Sequence, residues 1–507
     1  MAPYFLTNLI PRREKREAQR PLFQVLSELT ITQWAMFFSG WLAWTCDAID
    51  FFSVSLSVSA LTKEFDRDTE DITQAITLTL LLRSVGAVLF GIISDRFGRK
   101  WPLVVNLIIV AILELGAGFV NDYNTFLGVR SLFGIGMGGI WGLAASTALE
   151  NLPVEARGLG SGILQQGYAV GYLLAACINL GLVPDVPVGW RALFWTASGI
   201  SFFAAGIRAL LPESEVFLRA REVERAKGNT TTNKTKVFLH ETWEMLKTHW
   251  LLCVYAILLM TGFNFLSHGS QDLYPTYLED SKGFTQHQAT VATIIGNCGA
   301  IVARVPNPPA GGVIAGWVSQ YIGRRLTIVI FVLLIGAFIP VWILPSTFSG
   351  LAAGAFCMQF GVQGAWGVIP IQLSEMSPPA FRATFPGVAY QLGNMVSSAS
   401  SQIEATGGKN LRTTLLVDGE WKDIPDYATV QGIFIGCVAA FVLFITIVGP
   451  ENHGSHFEQH KPAFEEGAAR DDAVLQDNVT PRPQDPATTS HEKGSVQIEE
   501  EVIREKA

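Results

Sequence analysis

One apolar segment of the chain, residues 264–276, carries six polar or ionisable side chains within its first nine residues: Asn264, Ser267, His268, Ser270, Gln271 and Asp272. A helix turns about 100° per residue, so Asn264, His268 and Gln271 share one face and Asp272 lies one turn after His268. At that spacing a carboxylate can contact the imidazole and stabilise its protonated form. We predict that His268 and Asp272 carry a proton, and that Asn264, His268 and Gln271 bind a small solute.

A proline in the same segment bears on how it folds. Pro275 cannot donate a hydrogen bond to the carbonyl of Gln271, so we expect the helix to bend and leave that carbonyl free. The competing interpretation is a polar cluster that only fastens this helix to a neighbour. Six polar groups within nine residues favour a functional role.

Three charged residues interrupt apolar segments nearer the N-terminus. Arg83 lies midway through residues 76–93, too deep to reach the headgroups easily, and its planar fork suits a carboxylate. Asp47 and Asp50 lie three residues apart in an earlier segment. We predict that Arg83 binds an anion. The alternative is that Arg83 forms a permanent ion pair with Asp47 or Asp50. Both interpretations hold if Arg83 pairs with an aspartate at rest and exchanges it for the substrate. The two aspartates are either proton sites or counter-charges for Arg83.

Twelve apolar segments, named here spans 1 to 12, must position these residues, and each is long enough to cross about 30 Å of hydrocarbon. The first six lie near residues 34–60, 73–94, 101–121, 126–149, 158–182 and 190–211. The last six lie near residues 251–279, 287–318, 326–345, 350–374, 384–403 and 430–449. We therefore predict an all-α membrane protein with twelve transmembrane helices.

Charged stretches divide this chain into five parts, and their lysines and arginines predict its orientation. The basic N-terminal tail, Arg96 to Lys100, the linker and Arg324-Arg325 all fall on one side, which we predict is cytoplasmic. The parts are a cytoplasmic N-terminal tail (1–33), a six-helix half (34–211), a cytoplasmic linker (212–249), a second six-helix half (250–449) and a disordered acidic cytoplasmic tail (450–507).

The two halves repeat each other. The segment from Gly91 to Lys100 follows span 2, and a similar segment from Gly316 to Arg325 follows span 8, 225 residues later. Glu150 and Arg157 after span 4 are matched by Glu375 and Arg382 after span 10, at the same separation of 225 residues. Transporters built from repeated halves bind substrate where the halves meet, near the midplane of the membrane.

One stretch of span 8 does not fit a membrane helix. Residues 303–310 contain three prolines and an arginine, which would break a helix that faces lipid. Removing these eight residues leaves an ordinary span. We interpret the stretch as an insertion, such as a wrongly joined exon.

Composition excludes most other classes of protein. Of the 507 residues, 49% are hydrophobic and 16% are charged, whereas soluble domains carry about 25% charged residues. The net charge of −8 argues against nucleic-acid binding. No catalytic, metal or cofactor site is expected, and the predicted partners are the lipid bilayer, a small solute and a proton. Lys461, Lys493 and Lys506 in the acidic tail are candidate ubiquitin acceptors for endocytic removal.

The segment Gly91 to Lys100 resembles the loop signature of the major facilitator superfamily, G-x-x-x-D-R-x-G-R-K, at every fixed position. Span 4 contains R-x-x-x-G-x-x-x-G, beginning at Arg130, which is also typical of that superfamily, and its glycines allow close helix approach. We expect Arg130 to pair with Asp95. The residues predicted to gate or stabilise the fold are Asp95, Arg96, Arg99, Arg130 and Arg324.

A closer resemblance lies in span 7. The sequence from Asn264 to Thr276 matches N-x-x-[ST]-H-x-[ST]-Q-D-x-x-x-T, the signature of fungal Jen-type carboxylate:proton symporters. The resemblance extends over all twelve spans and implies a substrate-contacting pair at Gln391 and Asn394 in span 11, with Arg83 taking part in transport. Gln391 and Asn394 share a helix face, and interhelical hydrogen bonding is the alternative role for them. Gln165, Gln166 and Tyr168 occupy a comparable place in span 5.

These observations predict a plasma-membrane symporter that takes up a proton with a short mono- or dicarboxylate, such as lactate, pyruvate, succinate or malate. Two alternatives remain open. One is a transporter of the same fold for a sugar, sialic acid or an aromatic acid. The other is a nutrient receptor that has kept the fold without transporting.

Overall fold

The structure is a computed structural model that describes residues 22–149, 152–213, 217–218, 234–301, 311–378, 381, 384–417 and 420–451. Helices form because long apolar runs, with few prolines inside them, must satisfy every backbone hydrogen bond internally. The helices of the first half are Leu22–Ser27, Ile31–Phe65, Thr69–Phe97, Lys100–Ala117, Tyr123–Met137, Ile140–Leu149, Val154–Gly181 and Arg191–Leu210, with a 3₁₀ turn at Val183–Asp185.

The second half follows the same plan. Its helices are Lys234–Thr248, Trp250–Gln271, Tyr274–Asp280, Gln286–Ile301, Gly311–Ile322, Arg324–Ile343, Phe348–Trp366, Ile369–Met376, Thr384–Ser397, Ser400–Asn410 and Tyr427–Val448. An antiparallel hairpin of β1 (Arg412–Val417) and β2 (Glu420–Pro425) joins the last two helices. The predicted spans 11 and 12 left this stretch between them without a predicted element.

The structure refines the predicted spans. Span 1 is longer than expected, Ile31–Phe65, and span 11 continues as a second helix to Asn410. Spans 4, 7, 10 and 11 are each divided into two helices by a short break. Residues 303–310, Glu150, Arg382 and the tail beyond Glu451 lie outside the described residues, as do the side chains of Asp95 and Arg96.

Eight helical segments of the described chain are long and apolar enough to cross a membrane, judged by length and composition: spans 2, 3, 4, 5, 6, 7, 9 and 12. The other four predicted spans differ for visible reasons. Span 1 carries Asp47 and Asp50, and spans 10 and 11 carry several buried glutamine, asparagine and serine side chains. The described parts of span 8 are two shorter helices, Gln286–Ile301 and Gly311–Ile322. The more polar of these spans contribute to the centre of the molecule.

Two glutamates show the repeat of the halves at the level of hydrogen bonds. Glu213, after span 6, accepts hydrogen bonds from the backbone N–H groups of Arg99 (3.0 Å) and Lys100 (3.1 Å) at the start of span 3. Glu451, after span 12, accepts them from Arg324 (2.8 Å) and Arg325 (2.9 Å) at the start of span 9. In both halves a carboxylate stabilises the positive end of a helix dipole.

The glycines of span 4 bring that span close to span 2, as predicted. A Cβ atom added to Gly134 would collide with the backbone carbonyl of Thr79, and one added to Gly138 would collide with the carbonyl of Arg83. Gly128, earlier in the same span, has open space at its Cβ position. The position of Arg83 therefore depends on small residues of span 4.

We predict that Gly134→Ala destabilises the protein and that Gly128→Ala, its control in the same span, does not. The methyl group at position 134 must push spans 2 and 4 apart, and overpacking of this kind costs about 1–3 kcal/mol. At position 128, alanine improves helix propensity by about 0.5–1 kcal/mol. Thermal unfolding in detergent measures both. Equal stability of the two variants would contradict the close approach.

Candidate functional site

A buried ion pair joins spans 1 and 2. Nη2 of Arg83 donates a hydrogen bond to Oδ2 of Asp47, and the two side chains are only 1% and 0% exposed. Within the described residues, Nε of Arg83 and Oδ1 of Asp47 have no hydrogen-bond partner. Asp47, rather than Asp50, is therefore the counter-charge of Arg83. The pair leaves donor capacity on the guanidinium that a second carboxylate could use.

Asp50 belongs to a different cluster inside the first half. Its Oδ2 accepts a hydrogen bond from Ser201 in span 6 at 2.8 Å. Arg130 of span 4 binds Glu114 of span 3 at 2.6 Å. Among the described side chains, the partner of Arg130 is therefore Glu114. The side chain of Asp95 lies outside the described residues, so its expected pairing with Arg130 stays a prediction. Glu114 is the acid of span 3 that lies beside Arg130. The sequence signal for this pair was a single acid within the apolar run of span 3.

The predicted His268–Asp272 contact is present in span 7. Nδ1 of His268 lies 3.1 Å from one carboxylate oxygen of Asp272 and 3.2 Å from the other. Nε2 of His268 lies 3.2 Å from Oδ1 of Asn394, and Nδ2 of Asn394 donates to Gln391 at 2.8 Å. Ser401 donates to Oδ2 of Asp272 at 3.0 Å. A continuous polar chain therefore joins span 7 to span 11.

The two predicted amide ligands of span 7 are engaged with neighbouring helices. Asn264 donates to the carbonyl of Tyr390 at 3.2 Å. Gln271 donates to the side chain of Gln359 in span 10 at 2.6 Å and accepts from Ser267 at 3.2 Å. In this conformation both amides make interhelical or local hydrogen bonds. They can reach a solute only if those bonds are exchanged.

The effect predicted for Pro275 is present. One helix ends at Gln271 and the next begins at Tyr274. The freed carbonyl of Gln271 accepts a hydrogen bond from the hydroxyl of Tyr172 at 3.2 Å, and the carbonyl of Asp272 accepts one from Ser55. Both donors come from the first half, so the break in span 7 joins the halves beside the His268–Asp272 pair.

Phe51 lies between Arg83 and the His268–Asp272 pair. Its ring centroid is 5.8 Å from the guanidinium carbon of Arg83 and 5.4 Å from the centre of the His268 ring. The guanidinium and the imidazole thus contact the same ring. The sequence analysis missed this residue because a phenylalanine within an apolar span carries no polar signal.

Stacked aromatic rings form a wall next to Arg83. Trp141 stacks on Tyr390 with centroids 4.6 Å apart, and Trp44 stacks on Tyr168 at 5.2 Å. Trp44 also meets Tyr390 edge-on at 6.1 Å, which links the rings of both halves. We call these four residues the aromatic wall. Of these four residues, the sequence analysis named only Tyr168. Tryptophans are usually enriched at the membrane interfaces, so Trp44 and Trp141 in the middle of their spans could have indicated a site there.

Hydrogen bonds between the halves close the site at both ends. At the predicted cytoplasmic end, Ser161 donates to the carbonyl of Gly367 at 3.1 Å and accepts from the N–H of Ile371 at 3.2 Å. At the opposite end, Lys409 donates to Glu70 at 3.1 Å. Arg83 and His268, enclosed between these contacts, are 1% and 2% exposed. The conformation is therefore occluded.

The remaining predicted residues lie away from this centre. Arg324 makes a two-pronged ion pair with Glu375, both bonds being 3.0 Å, and Arg99 donates to the carbonyl of Ser94 at 3.1 Å. These contacts lie at the predicted cytoplasmic ends of the spans and hold helices together. In span 5, both polar atoms of the Gln166 amide and Oε1 of Gln165 have no hydrogen-bond partner within the described residues.

Comparison with known proteins decides the class. A family model described as "Sugar (and other) transporter" matches residues 22–464. The chain belongs to this family of membrane transporters, within the major facilitator superfamily. The match confirms the predicted superfamily, fold class and multi-pass membrane topology.

The chain is similar along most of its length to other transport proteins. It is 37% identical over 439 residues to a carboxylic acid transporter protein homolog of Saccharomyces cerevisiae, and the match covers 84% of this chain and 69% of the yeast protein. It is 26% identical over 376 residues to a cis,cis-muconate transport protein of Acinetobacter baylyi, covering 73% and 87%. A solved structure of the proton:xylose symporter XylE, bound to 6-bromo-6-deoxy-D-glucose, aligns with a TM-score of 0.62 at 19% identity, covering 84% of this chain and 98% of XylE. That last similarity concerns the fold alone.

We predict that Glu114→Gln lowers the thermal stability of the transporter, because it removes the carboxylate bound to the buried Arg130. Breaking a buried pair by removing one partner costs on the order of 3 kcal/mol. Glu244→Gln is the matched control, since Glu244 makes an exposed ion pair with Lys247 and should change stability little. Thermal unfolding in detergent compares the two. A Glu114→Gln variant as stable as the wild type would contradict the assigned pairing.

Proposed function

We propose that this transporter is a Jen-type symporter that takes up short mono- or dicarboxylates with a proton across the plasma membrane. The observation that carries the proposal is the buried guanidinium of Arg83, which keeps an unused donor and has one carboxylate, Asp47, bound to it. A carboxylate substrate can replace Asp47 there with the same geometry and charge. The carboxylic acid and muconate transport proteins among its relatives support an anionic substrate.

The polar chain on the other side of Phe51 is proposed to order the rest of the substrate. Gln391 and Asn394 form one end of that chain, and Nε2 of His268 contacts Asn394. A hydroxyl or second carboxylate on a C2–C4 acid could replace one of these contacts. Asn264 and Gln271 lie in span 7 with His268. When the site opens, they would exchange their present partners, Tyr390 and Gln359, for the substrate.

The charge balance at Arg83 favours a proton on an acid close to the bound substrate carboxylate. When substrate takes Arg83, Asp47 loses its cation and becomes costly to keep ionised at membrane depth. A proton on Asp47 removes that cost. His268 and Asp272 are proposed to deliver the proton, and Asp50, bound to Ser201 near Arg130, serves as a further proton site in the first half.

Alternating access follows from the two sets of contacts that close the site. Outward opening must break Lys409–Glu70 and its neighbours, and inward opening must break the bonds of Ser161. Arg99, Arg324, Asp95, Arg96 and Arg130 are proposed to stabilise the helix ends and cores that move as units. Both termini are proposed to be cytoplasmic, with the tail lysines available for ubiquitination.

A second candidate substrate class is favoured by the aromatic wall. Stacked rings of Trp141, Tyr390, Trp44 and Tyr168 beside a cation suit a planar unsaturated or aromatic acid. Uptake measurements therefore need to include such acids along with lactate.

The function is tested by uptake into proteoliposomes with acid outside. The labelled solutes are lactate, pyruvate, succinate, malate, cis,cis-muconate, glucose and sialic acid. We expect acid-driven uptake of one or more short carboxylates that a protonophore abolishes. Accumulation of glucose or sialic acid alone, or absence of pH-dependent flux for every acid, would overturn the proposal.

We predict that Arg83→Lys lowers carboxylate uptake at least about tenfold, since an ammonium cannot replace the planar fork that binds two oxygens. Arg412→Lys is the control, because Arg412 lies in the exposed hairpin and pairs with Asp423. Initial rates at saturating and limiting substrate, normalised to protein in the membrane, measure the effect. Unchanged rate and KM in Arg83→Lys would remove Arg83 from the substrate site.

A further inference from the structure

Glu404 is a buried carboxyl group that the proposed substrate site does not use. It lies in the outer helix of span 11 and is 0% exposed. Its Oε2 accepts a hydrogen bond from Gln431 of span 12 at 3.0 Å, and its Oε1 has no hydrogen-bond partner within the described residues. A buried carboxylate without a cation costs far more free energy than a buried carboxylic acid. The surroundings thus suit a group that holds a proton.

The titratable groups near Glu404 come from several neighbouring elements. From span 7 the neighbour is the carboxylate of Asp272, and from span 12 it is the neutral phenol of Tyr427. From span 2, Glu70 binds Thr406 and Lys409. From β2, Lys422 and Asp423 are exposed. The described contacts of Glu404 therefore include no lysine, arginine or histidine.

The position of Glu404 connects the outer surface with the proton-carrying pair. Ser401, one turn earlier and also 0% exposed, donates to Asp272 at 3.0 Å. Residues three apart on a helix have Cβ atoms about 5–6 Å apart, so Ser401 and Glu404 are neighbours. Five residues beyond Glu404, the side chain of Lys409 is 59% exposed at the predicted extracellular end.

We propose that Glu404 is the outer proton-loading residue of the transporter. It takes a proton from the external side and passes it through the Ser401 hydroxyl to the Asp272 carboxylate. In the transfer, Ser401 accepts the proton of the Glu404 carboxyl and gives its own proton to Asp272. A hydronium ion from the acidic external solution then reprotonates the Glu404 carboxylate and becomes water. This proposal rests on the proposed proton symport and adds the route by which the proton enters.

A purely structural role for Glu404 is the alternative, and one substitution separates the two. Glu404→Gln keeps the size of the side chain and an oxygen that accepts from Gln431, so a structural role predicts wild-type behaviour. The amide cannot take up a proton, so the loading role predicts a specific loss. Ser401→Ala leaves Glu404 intact and removes the relay, and Asp423→Asn changes an exposed carboxylate at the same end of the molecule.

The test uses full-length protein in proteoliposomes, with labelled lactate as the probe. Two fluxes are compared: uptake driven by acid outside, and lactate exchange at equal pH, which needs no net proton entry. We expect Glu404→Gln to lose acid-driven uptake by on the order of tenfold or more, as for other positioned proton-transfer groups, and to retain exchange. Ser401→Ala should lose part of the driven uptake, and Asp423→Asn should match the wild type.

Two outcomes separate this proposal from the function on which it rests. If wild-type protein shows acid-driven uptake and Glu404→Gln shows the same rate and the same dependence on external pH, the loading role is wrong while symport stands. If wild-type protein shows acid-driven uptake of no acid in the panel, the symport proposal fails and this one fails with it. Loss of both fluxes in Glu404→Gln, with unchanged thermal stability, would also overturn a role limited to proton loading.

Discussion

The ion pair of Arg83 and Asp47 sets the energetics of the central site. Two charges held away from water cost several kcal/mol to bury, and only their mutual attraction and hydrogen bonds offset that cost. An anion that replaces Asp47 recovers the attraction but leaves a second acid without a cation, so binding of the anion and uptake of a proton become favourable together. In the proposed mechanism, proton coupling follows because two carboxylates, Asp47 and that of the substrate, compete for one buried cation.

The rest of the architecture keeps this competition isolated from water. Small residues of span 4 allow span 2 to approach closely enough to hold Arg83 at depth. The ring of Phe51 lies between the guanidinium of Arg83 and the imidazole of His268. The break in span 7 lets two backbone carbonyls accept hydrogen bonds from the first half beside the His268–Asp272 pair. Repeated halves supply the scaffold, and the chemistry differs between them.

Features that depend on a single helix could be predicted from the sequence, and those that depend on how helices pack could not. The His268–Asp272 contact and the break before Pro275 follow from spacing along span 7. Asp47 and Asp50 are three residues apart on one helix, yet the first meets Arg83 and the second meets Ser201. Only the packing of spans 1, 2 and 6 separates them. The pairing of Arg130 with Glu114 likewise depends on how the helices pack. So does the absence of a cation from the described contacts of Glu404.

Competition between Asp47 and substrate for Arg83 is tested most directly by equilibrium binding of lactate to purified Asp47→Asn protein. The amide keeps the shape of Asp47 and removes its charge, so the substrate should bind Arg83 more tightly than in the wild type, by about tenfold, or about 1.4 kcal/mol. Binding should also depend less on pH. Quenching of tryptophan fluorescence or titration calorimetry gives the affinity. Lactate affinity in Asp47→Asn that is equal to or weaker than that of the wild type would contradict the competition.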